Sequence, residues 1–488
     1  MQWSMQLLSY RHKQSIESVS EMSEQRKRIV IVGGGITGLS AAFYLQKEVQ
    51  ESHLPIDIVL LEASNRLGGK IETVRRDGFI IERGPDSFLI RKKSMGQLAE
   101  DVGVADQLVQ NATGQAYIWS DEQLHPIPAG SVMGIPTAFK PFMASALFSF
   151  RGKLRAAGDF ILPRSKVQGD QSLGSFFKRR LGTEVVENLI EPLLSGVYAG
   201  NIDQMSLQAT YPQFAAVERN HRSLIQGMKK TSSKKEVATK KRAGAFHTLK
   251  DGLETIVEAT EQQLTGTMIK KNCALTAIDR EVDRYVLQLN DGEKMMADAV
   301  ILTTSHQVAG ALFAPHGLLQ QTRQIPTTSV ATIALAFSEG DVEQHEEGTG
   351  FLVSRKSHCA MTACTWTHRK WPTTTPNGKI LLRAFVGKIG DEAVVDLSDE
   401  QIEQLVLNDL RKMMTIHKKP QFSIVTRWKE DRPQYRVGHQ TRIAEEKNAL
   451  KEAFPLVKLA GASYEGVGLP DCVDQGKAAV REVLDQIL

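Results

Sequence analysis

Residues Gly33-Gly34-Gly35-Ile36-Thr37-Gly38 place glycines in a GxGxxG spacing. Each glycine has a physical task. The first permits a tight turn off a strand, the second lets backbone approach a pyrophosphate, and the third lets a helix pack on the strand. The helix that follows turns its free N–H groups and partial positive charge toward the phosphates. Some 25 residues on, Glu62 closes an apolar stretch. A carboxylate there accepts hydrogen bonds from ribose hydroxyls and disfavours a 2′-phosphate. These residues predict a dinucleotide site.

The next residues decide which dinucleotide. Ala63-Ser64-Asn65-Arg66-Leu67-Gly68-Gly69-Lys70 sets a cation beside paired glycines just beyond the ribose acid. Such a turn suits a second phosphate contact, with Arg66 and Lys70 in reach of the pyrophosphate. Two successive phosphate contacts favour a tightly held FAD over an exchanging NAD. A later turn joins the candidate set: the glycine-flanked Gly466-Val467-Gly468-Leu469 ahead of a helix read over 474–487. Arg91-Lys92-Lys93 is a run of three cations that reads by itself as a solvated stretch opening a helix. No catalytic triad and no metal-ligand spacing is present. His125, His306 and His439 are read as structural or exposed, and Asp471 and Asp474 as helix caps.

These turns need elements to hold them. Residues 29–32 form a short β-branched apolar run, as in a buried parallel strand. A helix is read over 39–48 and a second strand over 56–61, completing a βαβ unit. Residues 94–110 read as an amphipathic helix, 115–140 as Gly/Pro-rich with a hairpin, and 150–225 as mostly helical. The apolar stretch 142–150 reads as a core or interfacial helix. A strand-rich region covers 330–386, a helix 400–413, and a last short strand 457–459. Residues 1–25 read as a disordered tail. Residues 227–244 carry seven cations against Glu236; they read as a flexible solvated loop or as a contact for an acidic partner or anionic surface.

With 488 residues, 41% hydrophobic and 24% charged, the chain can bury a sizeable core. A net charge of only +4 argues against a general nucleic-acid binder. The four cysteines are scattered, as in a reducing compartment. No apolar run reaches the roughly 18 residues of a membrane span.

Arg66-Leu67-Gly68-Gly69 resembles the second flavin motif of the amine-oxidase and protoporphyrinogen-oxidase superfamily. Glu82-Arg83-Gly84-Pro85-Asp86-Ser87-Phe88, Asn188-Leu189-Ile190-Glu191-Pro192-Leu193-Leu194-Ser195-Gly196-Val197-Tyr198-Ala199-Gly200 and Gly466-Val467-Gly468-Leu469-Pro470-Asp471-Cys472 narrow it. Together they resemble the FAD-dependent porphyrinogen oxidases, closest to the soluble Gram-positive enzymes that form coproporphyrin III. The resemblance runs from about residue 26 to the C-terminus. It implies an α/β fold with a Rossmann-like FAD domain of the p-hydroxybenzoate-hydroxylase type, a mixed-sheet substrate domain and a helical domain. The expected divisions are 26–90 with 250–310 and 430–488 for FAD, 91–115 with 311–429 for substrate, and 116–225 for the helical part.

The resemblance further implies FAD contacts at Gly33, Gly34, Gly35, Ile36, Thr37, Gly38, Glu62, Ala63, Arg66, Gly69, Lys70, Gly84, Pro85, Asp86, Ser87, Leu275, Trp428, Gly461, Val467, Gly468 and Leu469. Lys92 and Arg91 would meet substrate propionates. Val197 and Tyr198 would wall the macrocycle, and Phe351 would pack on a pyrrole ring. The implied reaction is oxygen-dependent oxidation of a porphyrinogen in haem synthesis, with hydrogen peroxide released. The flavin drives it, so no catalytic side chain is assigned. Coproporphyrinogen III is the expected substrate; protoporphyrinogen IX and, more distantly, an amine are the alternatives. A cytoplasmic location, at most peripheral membrane association, and contact with other haem-pathway enzymes accompany the resemblance.

Overall fold

The computed structural model describes residues 26–196, 198–233 and 244–488. The expected tail at 1–25, Val197 and most of the basic segment lie outside them.

Five parallel strands form the nucleotide-type sheet: β1 (Lys27–Val32), β2 (Ile56–Leu61), β3 (Thr267–Lys270), β4 (Ala299–Leu302) and β5 (Val457–Leu459). Their spatial order is β3-β2-β1-β4-β5. Ile29 through Val32 are buried on both faces, which explains their unbroken apolar character. Helices cover one face: α1 (Ile36–Glu51), α2 (Ser94–Asp101) and α3 (Leu469–Ile487) share a core with Ile29, Ile31, Ile58 and Leu60. The alternating residues Val30, Val32, Val59 and Leu61 face a second core built from the sheet of residues 275–297 and from residues 306–313 and 443–454. Gly476 lets α3 approach α1 closely, since a Cβ there would lie 2.6 Å from the Thr37 carbonyl oxygen.

A seven-stranded sheet stands beside this layer, in the order 422–433, 327–338, 379–386, 361–366, 350–353, 117–120, 123–126. It is antiparallel except where Phe351 to Val353 run parallel to Tyr117 to Trp119. Its two faces divide by strand alternation. Ile333, Leu335, Leu382 and Ala384 pack under the helix Asp399–Leu410. Thr332, Arg383, Thr426 and Trp428 reach the Arg83–Gly84 segment instead. A third core, rich in Phe176, Phe177, Phe214 and Leu189, binds the helices of residues 139–228.

Several elements differ from the sequence reading. Residues 94–110 are a two-turn helix, a short 3-10 turn and the strand Leu108–Gln110, because Gly103 (φ +84°) breaks the helix. Residues 142–150 split between the helices Phe139–Ala144 and Phe150–Ala157, with Ser149 capping the second through its side chain. The expected flexible segment 227–244 is helical in its first part, within Leu224–Ser233, because Leu224, Ile225 and Met228 bury into the helical core. The hairpin expected within 115–140 does form, over residues 117–126, but on the edge of the seven-stranded sheet rather than with the helical segment. The last helix begins at Leu469 rather than near 474.

Candidate functional site

The carboxyl ends of β1, β2, β4 and β5 share one edge of the sheet, with β2 and β4 on opposite sides of β1, the kind of switch point at which open α/β sheets bind ligands. Gly33 follows β1 with φ +106°, a conformation suited to glycine. A Cβ on Gly38 would fall 1.8 Å from the Gly33 carbonyl oxygen, so only glycine lets α1 start here. The α1 N-cap is Gly35, with no side-chain hydrogen bond, so the first-turn N–H groups point outward as an anion site requires.

The second glycine turn locks against the first. Gly68 N–H donates to the Gly34 carbonyl at 2.8 Å, and a Cβ on Gly69 would lie 3.1 Å from Gly35 Cα. Glu62 joins them: its carboxylate accepts from Gly34 N–H at 2.6 Å and Ser64 N–H at 2.7 Å. Ala63 beside it is exposed. Arg66 donates to the carbonyls of Leu67, Gly69 and Ile71 and to Glu72. Its guanidinium thus shapes the glycine turn from within. Lys70 reaches the Asp431 carbonyl at 2.8 Å. Against Glu62 the adjoining chain is Asn272–Cys273, with Cys273 N–H donating to the Glu62 carbonyl at 2.8 Å. Leu275, expected near the adenosine half, is two residues further on and its side chain is buried.

The turn at 84–87 is built on a buried charge network. A Cβ on Gly84 would lie 1.7 Å from the Lys70 carbonyl oxygen, so this turn sits directly on the second glycine turn. Arg383 donates to the carbonyls of Gly84 and Arg83, and Trp428 Nε1 donates to Arg83 at 3.1 Å. Pro85 is half-buried. Asp86 accepts from Ser87 Oγ at 2.7 Å and Lys370 Nζ at 2.7 Å. Burial alone would raise the Asp86 carboxyl, but Lys370 and Arg383 hold it well below the usual carboxylate range. Glu82, half-buried nearby, is pushed up to about 7 by desolvation, against the opposing bonds from Leu253 N–H and Thr73 Oγ1.

The C-terminal turn closes the same space. Gly461 (φ +125°) follows β5 and donates to Gln475 Oε1 at 2.9 Å. Tyr435 Oη accepts from Gly466 N–H at 2.8 Å and donates to the Ala462 carbonyl at 2.7 Å. Its ring stacks on His439 at 4.0 Å. Gly468 caps α3 through backbone alone, and Val467 packs toward the helical core. Asp471, read as a cap, instead takes Lys92 Nζ at 2.5 and 2.6 Å on its two oxygens. Asp474 accepts from Ser94 Oγ at 2.5 Å.

The substrate candidates divide. Lys92 lies between the 84–87 turn and the C-terminal turn. Arg91 is exposed beside Met133, and its charge is felt by Tyr211. Tyr198 is buried, 5.5 Å from the Tyr435 ring and 6.5 Å from Tyr211, in the electrostatic reach of Asp471. Val197 lies outside the described residues. Phe351 does not face this side. It is 2% exposed and packs edge-on to Trp366 at 6.1 Å, because strand alternation puts it on the sheet face under the helix Asp399–Leu410. His306 and His439 are buried on backbone carbonyls, as structural histidines are. His125 is likewise bonded to the Ser120 carbonyl.

Sequence reasoning missed Arg383, Lys370, Tyr435 and the Lys92–Asp471 pair. Each acts on a turn far away in sequence, and no local pattern marks it. Among the described residues, no group of three or more His, Cys, Asp or Glu could hold a metal, and no helix is long and apolar enough to cross a membrane. The interlocked turns leave backbone where side chains would otherwise stand, and they fit a dinucleotide.

A family model described as flavin containing amine oxidoreductase matches residues 36–484. The chain is 54% identical to coproporphyrinogen III oxidase of Bacillus subtilis over 95% of its length and 99% of the relative's. It is 44% identical to the coproporphyrinogen III oxidase of Staphylococcus aureus over 94% of its length and 100% of the relative's. A solved structure from Exiguobacterium sp. 255-15 superposes at TM-score 0.85 and 42% identity, covering 94% of this chain and 99% of that one. Reduced UDP-galactopyranose mutase, at TM-score 0.68 and 16% identity over 94% of this chain and 96% of that one, shares the fold.

Proposed function

This chain belongs to the flavin containing amine oxidoreductase family, and on that premise we propose that it is an FAD-dependent oxidase converting coproporphyrinogen III to coproporphyrin III in haem synthesis. The observation that carries the substrate is full-length similarity to two coproporphyrinogen III oxidases, at 54% and 44% identity. The interlocked glycine turns, with Glu62 tied to Gly34, support FAD as the flavin.

A bound flavin would supply a two-electron acceptor that oxygen reoxidises, so that the six-electron conversion would yield three hydrogen peroxide per porphyrin. The protein's own residues bind, orient and enclose. The α1 N-terminus and the turn at 68–69 would hold the pyrophosphate, Glu62 would accept from the ribose hydroxyls, and the turns at 84–87 and 466–469 would hold the redox end. Arg383 and Lys370 keep Asp86 ionised and the 84–87 turn fixed. Lys92 and Arg91 meet propionates, since a carboxylate leaving water needs a charged partner. Tyr198 walls the macrocycle. The aromatic product supplies the driving force, and solvent accepts the pyrrole proton.

Simultaneous oxygen consumption and porphyrin fluorescence test the reading. The expected result is three oxygen consumed per coproporphyrin III formed, in FAD-loaded protein. Faster turnover of protoporphyrinogen IX would transfer the assignment to that substrate; a relative from Spinacia oleracea, 27% identical over 93% of this chain and 84% of that protein, is a protoporphyrinogen oxidase. Ammonia release from amines with no porphyrin formed would overturn both.

A further inference from the structure

We propose that Asp471 is a placeholder for a substrate carboxylate. It holds Lys92 beside the C-terminal turn and yields it to a propionate when a porphyrinogen binds. This rests on the reading of Lys92 as a propionate contact.

The geometry is that of a ligand already in place. Both Asp471 oxygens sit on Lys92 Nζ, at 2.5 and 2.6 Å, as the two oxygens of an incoming carboxylate would. The pair joins two turns whose residues are 379 positions apart. It is reachable from solvent: the side chains keep 39% and 27% of their exposure. An ion pair so exposed contributes little to stability, so exchanging one carboxylate for another is cheap.

Asp471 also has somewhere to stay once Lys92 leaves. It lies in the first turn of α3, where the helix dipole favours an anion. Its side chain is seated on the turn, within 3.0 Å of where a Cβ on Gly466 would stand and 2.7 Å of one on Gly468. A second tie keeps the segments together when the first opens, since Ser94 Oγ donates to Asp474 at 2.5 Å. Arg91 and Lys93 flank Lys92 and are exposed, so a cationic excess remains to attract anions. The two aspartates therefore divide the work: Asp474 keeps the segments joined, and Asp471 competes with substrate for one ammonium.

Competition makes a prediction that a merely structural pair does not. The affinity of FAD-loaded, full-length protein for coproporphyrin III is measured by quenching of porphyrin fluorescence, with flavin absorbance confirming cofactor retention. Lys92→Met weakens binding. Asp471→Asn tightens it, by about two- to fivefold at low salt. Asp474→Asn leaves it at the wild-type value. The tetramethyl ester of coproporphyrin binds Asp471→Asn and wild type alike. Asp471→Ser is the second neutral variant, should the Asn variant lose flavin. Weaker binding in both Lys92 and Asp471 variants, or an equal shift in Asp474→Asn, overturns the placeholder role and leaves the oxidase reading standing. Wild-type protein that neither oxidises coproporphyrinogen III nor binds coproporphyrin III brings down the oxidase reading, and this inference with it.

Discussion

The Glu62 carboxylate is anchored by two backbone N–H groups, those of Gly34 and Ser64. Its orientation is therefore set by backbone on either side of it. Replacing it with alanine removes a charged acceptor from both N–H groups, each such bond contributing about 1.5–3 kcal/mol. Glu62→Ala is expected to lower FAD affinity by about tenfold or more, measured as flavin released on dilution. His439 makes a separate prediction. Burial depresses it from the usual 6.5 to about 4, while the Tyr464 carbonyl opposes the shift. A depressed histidine adds stability above its unfolded value and loses it as pH falls through the folded one. The protein should thus lose up to roughly 3 kcal/mol between pH 6.5 and 4, read as a falling thermal midpoint. His439→Asn should flatten that slope. At this scale the glycines and Glu62 were legible, because a motif is a local pattern. Asp471 was not: its position at a helix start suggested a cap, and its partner comes from the other end of the chain.

Strands and helices determine which of those residues meet. A Cβ at position 38 would collide with the Gly33 carbonyl at 1.8 Å. Gly38→Ala should push α1 off β1, abolish flavin retention and destabilise the sheet, read by flavin content and urea midpoint. Phe351 illustrates how one step of alternation reverses a role. Its strand was expected from sequence, but nothing local states which face of a seven-stranded sheet looks toward a ligand. Phe351 turned out to pack on Trp366. Phe351→Ala should cost about 3–5 kcal/mol of stability with no selective loss of substrate affinity, read by denaturation alongside the Michaelis constant. The helix expected over 94–110 failed for a similar reason: the apolar spacing continued past Gly103, but the strand Leu108–Gln110 found pairing partners in residues 247–249.

Across the whole molecule, the parallel sheet collects β1, β2, β3, β4 and β5 from separated stretches of sequence. The flavin-family architecture could be read from four short motifs, since each motif marks one turn. The way the seven-stranded sheet recruits residues 117–126 could not, because that pairing is non-local. A ligand bridging these stretches should act on all of them together. Saturating FAD at about 100 times its dissociation constant should stabilise the folded chain by about 2.7 kcal/mol. A single, concentration-dependent melting transition is the expected signature in calorimetry of apo and FAD-loaded protein; two transitions, only one of them responsive, would count against it.

Gly33 and Gly461 both lie against Thr303 at the carboxyl edge of the same sheet although more than four hundred residues separate them. During synthesis that interval corresponds to a wait on the order of tens of seconds. The first glycine turn emerges early, but β5, Gly461 and the start of α3 are still to be made. The two ends of the candidate site therefore come together only after α3 has been made, and a chain shortened before β5 lacks one side of it.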